Sequence, residues 1–238
     1  MAPLMPTLQG KVTIVTGGGR GIGRATAEAL VQEGADLAII ARTTHELNET
    51  ARLIESLGRR ALTQSGDVRK SSDIEQLIQR SLELFGRIDI LVNNAGVAIY
   101  KPFAGTTEEE WRQTIEVNLY GVFLATKAVL PSMKRQGGGV IVNVSSGAGK
   151  YGFPFLTAYC ASKFGLNGFT EALAREVAGD GIRVYAVCPG GVDTKMHHDI
   201  FPAVDPRSLL QPEQVAHVIV DLATGRRRAS SGTAVDVG

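Results

Sequence analysis

Short apolar runs alternate with longer segments of helical periodicity from residue 12 almost to the end of the chain. Five of these runs are rich in Val and Ile and nearly uninterrupted, at 12–15, 37–40, 88–92, 140–144 and 184–187. Such runs are typical of parallel strands that are covered on both faces. Residues 60–64 and 234–237 are weaker strand candidates. The pattern predicts an α/β fold with a doubly wound parallel sheet of about seven strands and helices on both faces.

The segments between the runs carry signals for helix N-termini. Ser72 is followed by Glu75, and Thr107 by Glu110, which is the spacing of a capping box in which the two side chains bond each other's backbone amides. We therefore predict helices that begin at these two positions. No linker or low-complexity stretch interrupts the alternation, so we expect one domain over residues 1–238. In a doubly wound sheet, ligands bind at the carboxyl ends of the strands.

A glycine-rich turn follows the first strand candidate. It reads Thr-Gly-Gly-Gly-Arg-Gly-Ile-Gly over residues 16–23, and a helical pattern follows at 24–33. Glycines let the backbone approach a pyrophosphate, and the start of a helix offers amide donors and a positive dipole end. Tight turns between a strand and a helix also favour glycine for purely steric reasons. Its place at the amino end, between a strand and a helix, favours nucleotide binding.

Tyr159 and Lys163 are separated by four positions, which places both side chains on one face if the segment is helical. The ammonium of Lys163 would then lie near the phenol oxygen, or near something bound against both. A nearby positive charge favours the phenolate and lowers a phenol pKa. The same spacing arises often by chance from a half-buried Tyr and a solvated Lys. Only neighbouring motifs distinguish the two interpretations.

Six motifs, in order along the chain, resemble those of the short-chain dehydrogenase/reductase family in its compact, single-domain, Rossmann-type form. They are the glycine motif with Thr16, Gly17, Gly21 and Gly23, Asn-Asn-Ala-Gly at 93–96, Asn118, Ser146, the pair Tyr159 and Lys163, and the Pro-Gly segment at 189–194. The resemblance covers nearly the whole chain. It implies an NADP-dependent or NAD-dependent oxidoreductase acting on CH-OH or C=O groups.

The resemblance implies a catalytic set of Asn118, Ser146, Tyr159 and Lys163. Hydride transfer to a carbonyl builds negative charge on its oxygen, so Ser146 would donate a hydrogen bond and Tyr159 would deliver the proton. Lys163 would hold the nicotinamide ribose and lower the Tyr159 pKa, and Asn118 would hold a water that connects the relay to solvent. Ser146 lies thirteen positions before Tyr159, as in the family, so we interpret Ser145 as strand-end packing.

The resemblance also implies a coenzyme site that spans several loops. Asp67 and Val68 resemble the family's adenine-contacting pair, and the Pro-Gly segment closes over the nicotinamide. The full set is Gly17, Gly19, Arg20, Gly21, Ile22, Gly23, Arg42, Thr43, Asp67, Val68, Asn94, Ala95, Gly96, Tyr159, Lys163, Pro189, Gly190, Val192 and Thr194.

The end of the second strand candidate indicates which nicotinamide coenzyme binds. An acidic residue there would bond the ribose 2′-hydroxyl of NAD, whereas an arginine accommodates the 2′-phosphate of NADP. Here Ala41 stands where NAD-preferring relatives carry Asp, and Arg42 follows it. Arg20 and Arg42 could converge on one phosphate, and Thr43 could add a hydroxyl. The sequence therefore favours NADP(H), although each arginine could instead be solvated.

The substrate is defined less sharply than the reaction. The chain resembles reductases of 3-oxoacyl groups on acyl carrier protein and broad carbonyl reductases, so we expect a small-molecule carbonyl substrate, including a carrier-bound acyl group. Residues 195–211 would form the substrate loop. Five side chains could line the pocket or serve as core or subunit contacts: Tyr100, Phe103, Tyr151, Phe153 and Met196. Alternatives are an alcohol dehydrogenase working oxidatively, and a non-catalytic NADP-binding sensor or interaction protein.

Charge and composition argue against other classes of partner. The net charge is +1 and the basic run at 226–228 is short, so we expect no nucleic-acid binding. No apolar stretch is long enough for a membrane span, and residues 1–10 lack the features of an export signal, so we expect a cytoplasmic protein. The resemblance implies a homo-oligomer, a dimer or homotetramer, built through helices near 111–135 and 158–178.

Three other features of the sequence receive structural interpretations. Cys160 and Cys188 are too few for a disulfide framework and read as reduced packing residues. His197 and His198 stand together without nearby metal-ligand spacing, so we expect solvated side chains and no metal site. Lys150 could attract an acidic carrier protein or simply be exposed.

Overall fold

Seven parallel strands form one sheet in the computed structural model of the chain, which describes residues 7–237. The spatial order is β3-β2-β1-β4-β5-β6-β7. The strands are β1 Val12–Thr16, β2 Asp36–Ala41, β3 Ala61–Ser65, β4 Ile90–Asn93, β5 Gly139–Val144, β6 Ile182–Pro189 and β7 Ala234–Val237. The doubly wound α/β sheet predicted from the apolar runs is confirmed, including the two weaker strand candidates.

Helices cover both faces of this sheet, and each face has its own apolar core. The helices are α1 Gly21–Gln32, α2 Thr44–Ser56, α3 Ser71–Phe85, α4 Glu108–Ile115, α5 Gly121–Arg135, α6 Thr157–Glu176, α7 Lys195–Ile200 and α8 Pro212–Thr224. The first core joins α1, α2 and α8 to the sheet through residues such as Leu30, Ile54 and Ile219. The second joins α3, α5 and α6 through residues such as Leu77 and Val129. Burial on both faces explains why the strands are continuously apolar.

The strand order reverses between β1 and β4, which opens a crevice at their carboxyl ends. Thr16, the last residue of β1, lies opposite Asn93, the last residue of β4. Thr16 Oγ1 accepts hydrogen bonds from the backbone amides of Asn94 and Ala95 at 3.0 and 3.1 Å. Asn94 Nδ2 donates to the carbonyls of Thr16 and Gly17 at 3.0 and 3.1 Å. These bonds fix the glycine turn against the loop after β4.

The predicted N-terminal helix signals had different outcomes. The capping box of Thr107 and Glu110 is confirmed at the start of α4. The box of Ser72 and Glu75 is wrong, because the N-cap of α3 is Lys70, two residues before Ser72, and Ser72 lies inside the first turn. β4 likewise starts at Ile90, two residues after the predicted position. In residues 7–237, no helix is both long enough and apolar enough to cross a membrane.

Candidate active site

A cavity of about 500 Å³ runs along the carboxyl ends of the strands. Its wall contains nearly all the residues that the sequence analysis assigned to coenzyme and catalysis. Two of them, Gly23 and Asn118, do not line it and lie behind its wall. The motifs, which extend from Gly17 to Thr194 along the chain, therefore converge on one space in the folded protein.

The glycine turn joins β1 to α1 at one side of this cavity. A Cβ on Gly23 would lie 2.2 Å from the carbonyl oxygen of Gly17, so only glycine lets the helix start so close to the turn. No side chain caps α1, its first turn has no acidic residue, and Gly21 and Ile22 line the cavity. The first amides of a helix have no intrahelical partner and carry a partial positive charge. This helix start fits the pyrophosphate of a dinucleotide.

Tyr159 and Lys163 lie one turn apart on α6, and both line the cavity. Lys163 is only 4% exposed, and its Nζ donates to the carbonyl oxygen of Val144 at 2.7 Å. The same Nζ lies 5.6 Å from the centre of the Tyr159 ring. The helix therefore brings the two side chains together as the four-residue spacing predicts, and the end of β5 orients the ammonium.

Burial decides the protonation of this pair. Burial raises the pKa of Tyr159, and a hydrogen bond from Ser146 opposes that rise. Burial also lowers the pKa of Lys163 to about 8. Burial is the largest cause acting on the Tyr159 pKa and raises it, so the expectation that Lys163 lowers this pKa stays a prediction. Tyr159 keeps some solvent contact through the cavity, yet the protein atoms that surround it are enough to favour the neutral phenol.

Ser146 and Ser145 leave the end of β5 in different directions. Ser146 precedes a short 3₁₀ turn, Gly147–Gly149, and its Oγ accepts a hydrogen bond from the amide of Ala148 at 3.1 Å. Because the oxygen is the acceptor there, the hydroxyl proton can be donated toward the cavity, where Tyr159 is its hydrogen-bond partner. The Ser145 side chain is buried, and its Oγ donates to the carbonyl oxygen of Lys163 at 3.4 Å. Ser145 thus braces α6 against the sheet.

Asn118 lies in a π-helical turn, Glu116–Tyr120, between α4 and α5. Its side chain is fully buried and clamps the loop after β4: Oδ1 accepts from Val97 N at 2.8 Å, and Nδ2 donates to Val97 O at 2.9 Å. Nδ2 also donates to Ser162 Oγ at 3.0 Å. π-turns inside helices occur frequently at functional sites. The side chain itself is committed to protein partners, so the predicted water would have to be held by the backbone of this turn.

Charged side chains surround the end of the cavity that lies beside the glycine turn and the end of β2, which we call the adenosine end. Arg20 and Thr43 line it, and Arg42, which follows β2, is exposed and has no ion pair within residues 7–237. Asp67 lines the same end, but Arg69 holds its carboxylate at 2.6 Å and its pKa is lowered. Val68 is buried against Gly121. All five predicted positions therefore meet at one end of the cavity.

Apolar and aromatic side chains form the opposite end. α7 covers it with Met196, His197 and Ile200, and Phe201 follows the helix; Phe153 and Leu156 complete the wall. The segment that contains α7 is closed at its base, where Asp193 N donates to Leu210 O at 2.8 Å. The predicted substrate loop is thus partly a helix.

The five predicted pocket side chains divide into two groups. Phe153 and Met196 line the cavity, whereas the other three do not. Tyr100 packs edge-to-face on Phe155 and Phe201, at 5.3 and 5.2 Å between ring centres. Phe103 and Tyr151 are 68% and 70% exposed. Neither of these two side chains lines the cavity.

The remaining sequence candidates have structural partners. Lys150 Nζ bonds Asp236 Oδ1 at 2.6 Å and Ala234 O at 2.9 Å, which ties it to β7, so Lys150 is not simply an exposed side chain. Cys160 and Cys188 are buried free thiols. No group of three His, Cys, Asp or Glu side chains in the described part of the chain could hold a metal ion.

Two functional candidates escaped the sequence analysis. Glu46, in the first turn of α2, lines the adenosine end and pairs with Arg20 at 3.3 Å. His197 lines the apolar end, packs on Phe201 and has a buried Nδ1 without a partner, so the expectation of two solvated histidines is wrong. His198 bonds Asp193 at 2.6 Å. A Thr-x-x-Glu spacing at 43–46 was the one available signal for Glu46; no sequence signal marked His197.

Known proteins with the same fold and motifs identify the family. The family model for short chain dehydrogenases matches residues 11–205. The 3-oxoacyl-(acyl-carrier-protein) reductase FabG of Thermotoga maritima is 37% identical over 238 residues, which covers 97% of each protein. The 3-oxoacyl-(acyl-carrier-protein) reductase of Synechocystis is 38% identical and covers 92% of each. The crystal structure of carveol dehydrogenase from Mycobacterium avium in complex with NAD superposes with a TM-score of 0.91, at 30% identity and 98% and 97% coverage.

The chain belongs to the short-chain dehydrogenase/reductase family. Its members are oxidoreductases that bind a nicotinamide dinucleotide and act on CH-OH or C=O groups. Among them it resembles the 3-oxoacyl reductases named above. The glycine turn, the uncapped helix start and the buried lysine are the features of this chain that fit such a coenzyme.

Proposed function

We propose that this protein reduces a ketone or a 3-oxoacyl group to a secondary alcohol with NADPH, and that Tyr159 is the acid. One observation carries the proposal: Ser146, Tyr159 and Lys163 line the same cavity as the glycine turn of the coenzyme site. The bound coenzyme supplies the hydride, and the protein supplies orientation and the proton.

The carbonyl oxygen needs two hydrogen-bond donors as negative charge grows on it. Ser146 meets this need because Ala148 N occupies its oxygen as an acceptor, so its one proton can turn from Tyr159 to the carbonyl oxygen. Tyr159 is the second donor, and the raised pKa keeps it protonated at neutral pH, which is the form an acid requires. The pair thus presents two O–H groups from neighbouring elements, the end of β5 and α6.

Lys163 supports the proton transfer from Tyr159. With a pKa of about 8 it is mostly charged at neutral pH, and it can also exchange protons close to that pH. Its contact with Val144 O holds the ammonium beside the Tyr159 ring, where the charge stabilises the phenolate that remains after the proton leaves. Coenzyme ribose hydroxyls are the natural further partners of its remaining two N–H donors.

The choice of NADP(H) is supported by the end of β2. Ala41 offers no carboxylate to a ribose 2′-hydroxyl, while Arg42 and Arg20 offer guanidinium groups to a 2′-phosphate. The relative from Mycobacterium avium was solved with NAD, so some members of the family bind that coenzyme. Measured kcat/KM should favour NADPH over NADH, and Arg42→Asp should reverse or erase that preference. Equal use of the two coenzymes by the parent enzyme would refute this part of the proposal.

The apolar end of the cavity supports a carbonyl with a hydrocarbon body. Met196, Ile200 and Phe201 offer no charge, and a 3-oxoacyl chain or a compact cyclic ketone would bury its carbons there. The two 3-oxoacyl reductases similar to this chain support the first of these substrates. A panel of 3-oxoacyl thioesters and ketones, assayed by NADPH oxidation, tests the class. The absence of turnover across the panel, with NADPH bound, would favour the alternative of a non-catalytic NADP-binding protein.

The oxidative direction is the second candidate, because the same residues can run the reaction backwards as an alcohol dehydrogenase. Oxidation requires the phenolate of Tyr159 as a base, and burial raises the pKa of this phenol. Oxidation of the corresponding alcohol with NADP⁺ should therefore rise as the pH increases above neutrality, whereas reduction should not.

We further propose that residues 1–238 act as one domain in a cytoplasmic homo-oligomer, a dimer or a homotetramer. Residues 1–6 and 238 lie outside the described residues. Support for the oligomer comes from aromatic side chains on α4, α5 and α6 that remain partly exposed: Trp111, Phe123 and Phe164. Exposed apolar surface of this kind marks interfaces. Light scattering after gel filtration measures the mass.

A further inference from the structure

Glu46 is an acidic residue at the adenosine end of the cavity whose carboxylate faces the predicted phosphate ligands. It occupies the first turn of α2 and lines the cavity. Its Oε1 accepts from Arg20 Nη1 at 3.3 Å. Asp67, the other acid in the cavity wall, is already neutralised by Arg69 at 2.6 Å. Glu46 therefore occupies the guanidinium that a 2′-phosphate would need.

The position of Glu46 is fixed by packing of α2 on the glycine turn. A Cβ on Gly19 would lie 2.9 Å from the Cβ of Glu46, so the two backbones are in close contact. One turn further along α2, Thr50 Oγ1 donates to the carbonyl oxygens of Gly19 and Glu46, at 3.3 and 3.1 Å. The carboxylate can change its rotamer, but the packing of α2 on the glycine turn keeps it at the adenosine end of the cavity.

The spacing of Thr43 and Glu46 gives this carboxylate an alternative partner. Thr43 is the N-cap of α2 and Glu46 is the third helical residue, which is the arrangement of a capping box. The same chain forms that box at Thr107 and Glu110, where Glu110 accepts from Thr107 N at 2.8 Å. At α2 the box is absent and no side chain caps the helix. Arg20 holds Glu46 away from the helix end.

We propose that Glu46 sets the preference between NADP(H) and NAD(H) by competing with the 2′-phosphate for Arg20. Without coenzyme, the carboxylate neutralises Arg20. When a 2′-phosphate binds, Arg20 bonds the phosphate, and Glu46 turns to the Thr43 amide and completes the capping box. A coenzyme with a 2′-hydroxyl leaves the pair of Arg20 and Glu46 intact. This inference rests on the proposed use of NADP(H) and adds a residue that weakens the preference.

The expected effect is modest, because both partners are partly exposed. The Arg20 side chain is 55% exposed and that of Glu46 26%, and ion pairs of such exposure contribute little and are screened by salt. Removal of the carboxylate charge should tighten binding of a 2′-phosphate by about five-fold. Affinity for a ligand without that phosphate should stay within about two-fold.

Titration calorimetry at low salt provides the test, with adenosine 2′,5′-bisphosphate, NADP⁺ and NAD⁺ as probes. The variant is Glu46→Gln, which keeps the shape and removes the charge. Glu49→Gln is the matched control: Glu49 lies on the same helix and pairs with Arg24 at the same 3.3 Å, but does not line the cavity. Glu46→Ala removes the capping ability as well as the charge.

We expect Glu46→Gln to increase the affinity for both 2′-phosphate ligands and to leave the affinity for NAD⁺ unchanged. The increase should be larger than in Glu46→Ala. Glu49→Gln should have the affinities of the parent. Equal tightening by Glu46→Gln and Glu49→Gln, or none in either, would overturn the competition. Equal tightening by the Gln and Ala variants would overturn the capping step. The two proposals fail separately: a parent that binds NAD⁺ more tightly than NADP⁺ refutes the NADP(H) choice, whatever Glu46→Gln does.

Discussion

The two ends of the cavity recognise their ligands in different ways. At the adenosine end, glycine backbone, an uncapped helix start and charged side chains are held by a dense set of hydrogen bonds, including those of Asn94 to the glycine turn. At the opposite end, α7 contributes Met196, Ile200 and Phe201, and its segment is tied to the fold at a base near Asp193 and Leu210. The proposed function therefore assigns coenzyme binding to fixed backbone at one end and substrate choice to exchangeable side chains at the other.

The proposed catalytic residues lie between these ends, and loss of the proposed acid should have the largest effect. Tyr159→Phe deletes the proton donor and keeps the ring, so kcat should fall by about 10²–10⁴-fold while NADPH affinity stays near that of the parent. Initial rates of carbonyl reduction give kcat, and titration calorimetry with NADPH gives the coenzyme affinity. Tyr100→Phe, which deletes a hydroxyl from a ring that does not line the cavity, is the control and should have the parent's kcat. A Tyr159→Phe kcat within ten-fold of the parent would contradict the assignment.

Burial of the charged Lys163 side chain should reduce the free energy of unfolding of the protein when it is measured without coenzyme. Its folded pKa is about 8, and the unfolded side chain takes the ordinary value of 10.5. Between these values the unfolded state binds more protons, so stability increases as the pH rises, and the cost of burying the charged lysine is fully present below pH 8. That cost is about 3 kcal/mol, and the hydrogen bond to Val144 returns about 1 kcal/mol.

Lys163→Met should therefore be more stable than the parent by about 2 kcal/mol at pH 7, and the advantage should disappear between pH 8 and pH 10.5. Urea unfolding at pH 7 and at several values up to 10.5 measures the difference. Lys70→Met, at an exposed lysine, should show no such pH dependence. A variant less stable than the parent at pH 7, with a constant difference up to pH 10.5, would mean that Lys163 is not a buried charge.

The adenosine end can be tested by adding one carbon atom. Gly23→Ala puts a Cβ 2.2 Å from Gly17 O, so the turn or α1 must shift. We expect a stability loss of about 1–3 kcal/mol and a loss of NADPH affinity of about ten-fold, because the amides at the helix start move with the turn. Gly179→Ala, where no atom lies within 4 Å of the added carbon, should change neither. Unfolding curves and calorimetry measure both; unchanged coenzyme affinity in Gly23→Ala would separate the turn from the coenzyme.

The smallest effect belongs to the substrate end. Phe201→Ala removes a ring that lines the cavity and packs on Tyr100 and His197, so the carbonyl KM should rise by about ten-fold with little change in NADPH affinity. The increase should be greater for substrates with longer hydrocarbon chains. Phe103→Ala, at a 68% exposed ring outside the cavity wall, is the matched control. A change in NADPH affinity equal to the change in KM would show that the two ends are not independent.

The same division explains what the sequence could predict. Continuous Val and Ile runs predicted five of the strands, because parallel strands are buried on both faces, and the two less apolar strands, β3 and β7, were only weaker candidates. The coenzyme loops were predicted because backbone geometry demands glycine at particular positions. The five pocket candidates were less successful: Phe153 and Met196 line the cavity, but Phe103 and Tyr151 do not, since an aromatic side chain carries no signal of the direction in which its loop turns.

Other differences arose from contacts between distant segments. The π-turn at Glu116–Tyr120 coincides with the bonds of Asn118 to Val97, and helical periodicity cannot register such a one-residue change. The spacing of Tyr159 and Lys163 predicted their proximity but not the burial that controls their pKa values. Glu46 was missed because its contact with Arg20 exists only in the folded chain, where α2 packs beside the glycine turn.

The protein is proposed to catalyse hydride transfer from NADPH, bound in this cavity, to a carbonyl carbon. The most direct measurement uses NADPH with deuterium on one face of nicotinamide C4, in two separate preparations, with mass spectrometry of the alcohol product. The proposed function predicts deuterium on the carbinol carbon from one preparation and none from the other. Alcohol without deuterium from either preparation, or no alcohol from any ketone or 3-oxoacyl thioester while NADPH remains bound, would contradict it.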